Sequence, residues 1–156
     1  MSELASMLAK GPFVARQDAP SPFEAATTTL NVALDAAQIL IVDDEPGIRQ
    51  LLSHMLTAQG YDLVQAGSAT EALEVLSAHP CQLAIVDLLL PDVNGLELAE
   101  AIRMLDPGTP VILMTAYGTP AFESMAAHPA ITHYVHKPFD LDRLLALVRR
   151  ILPQQP

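Results

Sequence analysis

Short apolar runs alternate with stretches of helical periodicity from residue 39 onward. Three of these runs, 39–42, 83–86 and 111–114, are continuously apolar, which is typical of parallel strands buried on both faces of a sheet. The run 61–66 is more polar and predicts a peripheral strand, and 134–135 predicts a short fifth strand. The alternation of strands with helices predicts a mostly parallel sheet.

A helical pattern follows each predicted strand, with apolar residues three and four positions apart on one face. In the first helix that face consists of Ile48, Leu51, Leu52, Met55 and Leu56. The second helix spans 70–78, the fourth runs from Thr119-Pro120 to His128-Pro129, and Asp140 caps the fifth. Because parallel strands joined by helices cross over right-handed, these units predict an α/β fold with one doubly wound five-stranded parallel sheet and five helices.

Residues 1–37 differ from the remainder of the chain in composition. They contain no strand-like run, three prolines and a run of three threonines, so we expect a mostly flexible N-terminal extension before one domain over 38–156. Two short parts, 4–8 and 30–37, have helical spacing. A docking or dimerisation helix in this extension therefore stays open as an alternative.

The charge balance is strongly acidic, because 8 Lys and Arg stand against 18 Asp and Glu and give a net charge of -10. Without a basic cluster we expect no binding of nucleic acid or of an anionic membrane surface. The apolar runs are far shorter than the ~20 residues that span a bilayer. Cys81 is the only cysteine, which fits a reducing compartment and favours a cytoplasmic protein.

Polar side chains follow the apolar runs at the point where each strand is expected to end. They are Asp43, Asp44 and Glu45 after the first run, Asp87 after the third, Thr115 after the fourth and Lys137 after the fifth. Ligands of doubly wound sheets bind outside the carboxyl ends of the strands, where the strand order reverses. We therefore expect these side chains to converge at one edge of the sheet.

Three aspartates at one edge repel each other and raise the pKa of at least one carboxyl unless a cation intervenes. Lys137 is the one evident cation in these motifs, so a hard divalent ion such as Mg²⁺ is expected to bind as a cofactor. Carboxylates, Mg²⁺, a lysine and a hydroxyl together suit phosphoryl transfer. A carboxylate can itself be the nucleophile and form an aspartyl phosphate.

Four motifs occur in order along the chain: IVDDEP at 41–46, VDLLLPDVNG at 86–95, MTA at 114–116 and YVHKPF at 134–139. With them the chain from 39 to 152 resembles a response-regulator receiver domain of two-component signalling, similar to the chemotaxis-type stand-alone receivers. The resemblance implies a (βα)5 flavodoxin-like receiver fold, with the receiver domain over 38–156.

The resemblance also implies a role for each acidic residue. Asp87 would accept a phosphoryl group from a phosphohistidine on a partner. Asp44 and Asp87 would bind Mg²⁺ directly and Asp43 mainly through water, and the backbone carbonyl of Leu89 would supply another metal ligand. Many family members carry a polar side chain at the position of Leu89, so its apolar side chain is a departure.

The remaining roles fall on the strands that follow Asp87. Lys137 would pair with Asp87 and then with a phosphate oxygen, and the Thr115 hydroxyl would close onto the phosphoryl group. Tyr134 would be the switch aromatic that turns inward as Thr115 moves; the alternative is that Tyr134 is a plain core residue. The Lys137–Pro138 peptide bond would be cis, a form open mainly to X-Pro bonds.

The implied partners are a sensor histidine kinase or histidine phosphotransfer protein and a downstream protein. The chain ends at Pro156, four residues after Leu152, so we expect a stand-alone receiver without an output domain. It would be a monomer or a phosphorylation-dependent dimer. We expect no separate catalytic activity beyond promoting its own phosphorylation and dephosphorylation at Asp87.

Two other functions stay open. The first is a small aspartyl-phosphate phosphatase or phosphotransferase, although haloacid-dehalogenase-type enzymes need a second aspartate where Leu89 stands. The second is a degenerate receiver used as a constitutive interaction module, which the intact acidic cluster disfavours.

Overall fold

Five parallel strands form one sheet in the computed structural model, which describes residues 38–116 and 127–154. The strands are β1 (Gln38–Val42), β2 (Asp62–Ala66), β3 (Leu83–Asp87), β4 (Val111–Thr115) and β5 (His133–His136). Their order in the sheet is β2-β1-β3-β4-β5, and every neighbouring pair is parallel. The order reverses at β1 and β3, which places a crevice at the carboxyl ends of these two central strands.

Four helices belong to the described residues: α1 (Pro46–Thr57), α2 (Ala69–Ala78), α3 (Gly95–Leu105) and α4 (Leu141–Ile151). Asp140 caps α4 as predicted, because its carboxylate accepts hydrogen bonds from the N–H groups of Asp142 and Arg143. The helix predicted to begin at Thr119-Pro120 falls mostly on residues 117–126, outside the described residues. The predicted extension over 1–37 also lies outside them. The doubly wound parallel sheet is confirmed.

The two faces of the sheet carry separate apolar cores. Along β1, Leu40 and Val42 pack into the core that α2 and α3 cover, whereas Ile39 and Ile41 pack into the core beneath α1 and α4. Successive side chains of a strand point to opposite faces, so a strand covered on both sides must be apolar at every position. This is why the central strands appear as continuous apolar runs.

One residue of the predicted α1 face lies elsewhere. Leu52 and Leu56 are fully buried, but Leu51 is 43% exposed. Each helical residue is rotated about 100° from the next, so Leu51 falls at the edge of the apolar stripe rather than in it. After α1, Gly60 has a φ of 90°, and the N–H groups of Gly60 and Tyr61 donate to the carbonyls of Thr57 and Leu56, as in the Schellman motif that ends a helix.

Among residues 38–116 and 127–154, no helix combines the length and the apolar character that crossing a lipid bilayer requires.

Candidate functional site

The polar residues at the carboxyl ends of β1, β3, β4 and β5 converge at one edge of the sheet. Asp43, Asp87 and Thr115 are buried polar side chains, and Asp44 beside them is exposed. One carboxylate oxygen each of Asp43, Asp44 and Asp87 lies within 4.8 Å of the others. The expected convergence is therefore present, and it brings three acids within reach of a single cation.

Asp43 is the innermost acid and is fully buried. Its Oδ1 accepts a hydrogen bond of 2.9 Å from the backbone N–H of Glu45, and its Oδ2 accepts one of 2.7 Å from Lys137 Nζ. Both oxygens are thus already engaged by the protein. This arrangement fits the implied role of Asp43 as a ligand that reaches a metal through water, with Asp44 and Asp87 closer to the open crevice.

Lys137 connects the acids of β1 and β3. Its Nζ lies 3.4 Å from Asp87 Oδ2, as the resemblance implies, but only 2.7 Å from Asp43 Oδ2. Its backbone N–H donates to the carbonyl of Thr115 at 2.7 Å, and the Lys137–Pro138 bond is cis as expected. Asp43 as the nearer partner of Lys137 was not foreseen from the motifs, which place no constraint on how far across the sheet the ammonium reaches.

The cluster brings three aspartates together with one lysine. Burial raises the pKa of Asp87, and the neighbouring charge of Asp43 raises it further, against the opposing effects of Lys137 and the N–H of Leu89. Burial opposes the charge of Lys137, but its hydrogen bond to Asp43 and the charges of Asp87 and Asp43 outweigh this and raise its pKa. Lys137 is therefore held as a cation, yet it does not fully compensate Asp87.

Gly95 shapes the site in a way that its sequence context did not reveal. Asn94, the residue before it, is the N-cap of α3. A Cβ atom at Gly95 would lie 2.8 Å from the carbonyl carbon of Asp87 and closer still to its oxygen. The N–H of Gly95 also donates to the carbonyl of Leu88 at 2.7 Å. Only glycine permits this approach of α3 to Asp87.

Arg49 is a second residue that sequence reasoning missed. Its Nη1 donates a hydrogen bond of 2.6 Å to the backbone carbonyl of Asp43, which holds the start of the β1–α1 loop in place. Arg49 lies on α1, six residues after Asp43. No periodicity or motif marked this contact, since it depends on how α1 packs beside β1.

The implied switch residues lie on neighbouring strands. Thr115 is the last residue of β4 and is buried, and β4 pairs with β5 so that Leu113 stands opposite Tyr134. Tyr134 is 39% exposed, and its ring meets that of His136 edge to face, with centroids 6.1 Å apart. The alternative of Tyr134 as a plain core residue is therefore wrong for this conformation.

Leu89, two residues after Asp87, has 52% of its surface exposed. Its backbone N–H lowers the pKa of the Asp87 carboxyl by hydrogen bonding. The metal-binding role implied for its carbonyl stays a prediction.

Comparison with known proteins gives a consistent family. Residues 39–149 match the family described as the response regulator receiver domain. Sporulation initiation phosphotransferase F of Bacillus subtilis is 35% identical over 117 residues, which are 74% of this chain and 94% of that protein. Response regulator protein PilR of Pseudomonas aeruginosa is 41% identical over 113 residues, which are 72% of this chain and 25% of PilR.

Solved structures agree with this similarity. The chemotaxis response regulator CheY4 of Vibrio cholerae superposes with a TM-score of 0.69, at 31% identity over 75% of this chain and 99% of that one. TrrA from Thermotoga maritima in complex with Mg(2+)-BeF gives 0.68, at 37% identity over 74% of this chain and 99% of that one.

The chain belongs to the response-regulator receiver family of two-component signalling. It spans 27% of the length of the transcriptional regulatory proteins GlrR and QseF of Escherichia coli, to which it is 36% identical over 118 residues. Receiver domains accept a phosphoryl group from histidine kinases or histidine phosphotransfer proteins.

Proposed function

We propose that this chain is a receiver that takes a phosphoryl group from a partner phosphohistidine onto Asp87 and then signals through a changed protein-binding face. The observation that carries the proposal is the convergence of Asp43, Asp44, Asp87 and Lys137 at the crevice between β1 and β3. In the transfer, an Asp87 carboxylate oxygen bonds to phosphorus while the phosphorus–nitrogen bond of the phosphohistidine breaks. The electron pair of that bond stays on the imidazole, which takes up a proton.

The donor set fits Mg²⁺, because three carboxylates within 4.8 Å of one another offer the oxygen ligands that this ion prefers. Asp44 and Asp87 would hold the ion directly, Asp43 through water and Leu89 through its carbonyl. When bound, the ion offsets the negative charge of the acids and of the phosphoryl oxygens. The raised pKa of Asp87, caused by burial and then by Asp43, supports a need for this added positive charge.

Lys137, Thr115 and Tyr134 would respond to the modified Asp87. A phosphoryl group adds negative charge and strong hydrogen-bond acceptors, so Lys137 would move from Asp43 and Asp87 to a phosphate oxygen. The Thr115 hydroxyl would close onto the same group. An inward turn of Tyr134 would bury a residue that is 39% exposed in this structure, and it would alter the surface around β5 that a downstream protein would contact.

The wider assignment follows the family. The donor would be a sensor histidine kinase or histidine phosphotransfer protein, the protein would act in the cytoplasm, and it would carry no separate catalytic activity. Its overlap with 94% of sporulation initiation phosphotransferase F supports a receiver that works alone. It would be a monomer or a phosphorylation-dependent dimer, with no nucleic-acid partner.

Labelled phosphoramidate and Mg²⁺ provide a direct test, because this donor has the same phosphorus–nitrogen bond as phosphohistidine. We expect about one phosphate per chain in the wild type, none in Asp87→Asn, and none when the metal is chelated. Asp62→Asn is the matched control, since Asp62 is exposed at the opposite end of the sheet, and it should label normally.

Equal labelling of the Asp87→Asn variant would contradict the assignment. Continuous release of phosphate from small phosphate esters would instead favour the phosphatase. A chain that binds neither Mg²⁺ nor phosphate would act as a constitutive interaction module.

A further inference from the structure

The loop that follows Asp87 is tied to a helix that takes no part in the acidic cluster. Asp92, in the β3–α3 loop, accepts a 3.0 Å hydrogen bond at Oδ1 from the N–H of Ala69. Its Oδ2 accepts bonds from the N–H and the hydroxyl of Thr70, at 2.8 and 2.7 Å. Ala69 and Thr70 are the first two residues of α2, which precedes Asp92 by more than twenty residues in sequence.

These bonds satisfy helix donors that would otherwise lack a partner. The first N–H groups of an α-helix have no intrahelical acceptor. Ser68, the local N-cap of α2, accepts from the N–H of Glu71 at 3.2 Å, so Asp92 supplies the acceptors that Ser68 does not reach. Partial burial opposes ionisation of Asp92, but the hydrogen bonds from Thr70, Ala69 and Val93 outweigh it and lower the pKa of this carboxyl.

The loop is also anchored at its other end. The N–H of Leu88 donates to the carbonyl of Met114 on β4 at 2.8 Å, and the carbonyl of Leu88 accepts from Gly95 at 2.7 Å. Only Leu89, Leu90 and Pro91 lie between Leu88 and Asp92. The four peptide links from Leu88 to Asp92 span at most about 14 Å of extended chain, and proline fixes its own φ. Two fixed ends therefore leave the Leu89 peptide little freedom.

We propose that Asp92 is a positioning residue of the phosphoryl-acceptor site, which holds the Leu89 peptide against Asp87 by fastening the loop to the N-terminus of α2. Leu89 stands two residues after Asp87, its backbone N–H lowers the pKa of the Asp87 carboxyl, and its carbonyl is the backbone ligand expected for Mg²⁺. This inference rests on the proposed function. Because binding and positioning are linked, an ion bound at the site stabilises the contact of Asp92 with α2 to the same extent that the contact strengthens ion binding.

The test compares Mg²⁺ binding by calorimetry in the wild type, Asp92→Ala and Ser68→Ala. Both substitutions remove an acceptor from the N-terminus of α2, but only the first releases the β3–α3 loop. We expect Asp92→Ala to weaken Mg²⁺ binding roughly tenfold, as loss of a residue behind a metal ligand does, and Ser68→Ala to change it by less than about twofold. Asp92→Asn, which keeps one acceptor oxygen, should fall between them.

A second measurement reports on the contact itself. In the wild type, Mg²⁺ should slow hydrogen exchange at the amides of Ala69 and Thr70, and in Ser68→Ala it should still do so. Should Asp92→Ala fail to fold, Thr70→Val, which removes one of the three bonds from α2 to Asp92, should weaken Mg²⁺ binding in the same direction by a smaller factor.

Three results would overturn the inference. They are an unchanged Mg²⁺ affinity in the Asp92 variants, a loss of Mg²⁺ affinity in Ser68→Ala equal to that in Asp92→Ala, or hydrogen exchange at the amides of Ala69 and Thr70 that does not change when Mg²⁺ is added. A wild type that binds Mg²⁺ and labels at Asp87 while these results appear refutes the positioning role alone. A wild type that binds no Mg²⁺ refutes the proposed function and this inference with it.

Discussion

The two edges of the sheet stabilise the domain in different ways. At the carboxyl edge, a lysine faces two buried aspartates, with Lys137 Nζ 2.7 Å from Asp43 and 3.4 Å from Asp87. At the opposite edge, neutral hydroxyl groups bond to the backbone: Thr109 donates to the carbonyl of Cys81 at 3.2 Å, and Tyr61 donates to that of Leu152 at 2.7 Å. Charge is concentrated where ligands of this fold bind.

The two edges differ in how their hydrogen bonds and ion pairs contribute to the free energy of unfolding. A buried neutral hydrogen bond contributes about 1 kcal/mol to stability, with little dependence on pH. Buried charges contribute only when they are paired, and the desolvation of an incompletely paired charge is costly. The carboxyl edge therefore holds a partly uncompensated acid, Asp87, and we expect substitutions at the two edges to have different signatures.

The largest expected effect is that of Lys137→Met. It leaves the fully buried carboxylate of Asp43 without its cation, and breaking a buried pair costs about 3–4 kcal/mol of the free energy of unfolding. Urea denaturation at pH 7 measures this loss. The double variant Asp43→Asn, Lys137→Met should recover much of the stability; a double variant as unstable as the single one would show that lost packing, not charge, is responsible.

The same pair predicts a pH dependence. The pKa of Lys137 is raised because its hydrogen bond to Asp43 and the charges of Asp87 and Asp43 outweigh the effect of burial. Its contribution to stability is thus fully present below the ordinary lysine pKa and is lost as pH rises through the higher folded value. Wild-type unfolding free energy should fall in this alkaline range relative to Lys137→Met, and parallel curves would contradict the pairing.

The next largest effect is that of Gly95→Ala. The added Cβ would lie 2.8 Å from the Asp87 carbonyl carbon. Either α3 or the end of β3 must therefore move. We expect a loss of about 3 kcal/mol in urea denaturation together with weaker Mg²⁺ binding. Gly47→Ala is the control, because a Cβ there meets nothing within 4 Å and alanine favours the helix. Equal behaviour of the two variants would mean that the approach to Asp87 is not tight.

Tyr61→Phe tests the neutral edge with a smaller effect. It removes the hydroxyl that donates to the Leu152 carbonyl and should lower the free energy of unfolding by about 1.5 kcal/mol. Mg²⁺ affinity and labelling at Asp87 should not change, since the residue lies at the far end of the sheet. A change in either would show that the two edges are coupled.

The smallest expected effect has the opposite sign. Burial and the charge of Asp43 raise the pKa of Asp87, so the ionised carboxylate destabilises the metal-free fold. Asp87→Asn should therefore raise the free energy of unfolding at pH 7, as measured by urea denaturation. The difference in free energy of unfolding should vanish at pH values below the ordinary carboxyl pKa, because Asp87 is then neutral in both the folded and the unfolded protein. Added Mg²⁺ should make the wild type the more stable of the two proteins, because it stabilises only the wild type. Equal stability of both proteins at pH 7 without metal would contradict the raised pKa.

The sequence was sufficient to predict the location of those site residues that stand at the end of a strand. Asp43, Asp87 and Thr115 lie at the carboxyl ends of their strands, and parallel strands bring such ends to one edge. The order of apolar runs was enough for this. The burial of Leu51 was mispredicted, because a helical stripe has edges that depend on how the helix is rotated against the sheet.

The sequence by itself determined the five parallel strands, the edge at which the chemistry lies and the identities of the acids that meet there, since strand periodicity and motif order are local properties of the chain. Only the tertiary structure decided that Lys137 lies nearest to Asp43, that Arg49 holds the Asp43 carbonyl, that α3 meets Asp87 at Gly95 and that Asp92 reaches α2. Each of these contacts joins residues of different elements. Their distances follow from how helices and loops pack on the sheet, and no local pattern encodes that packing.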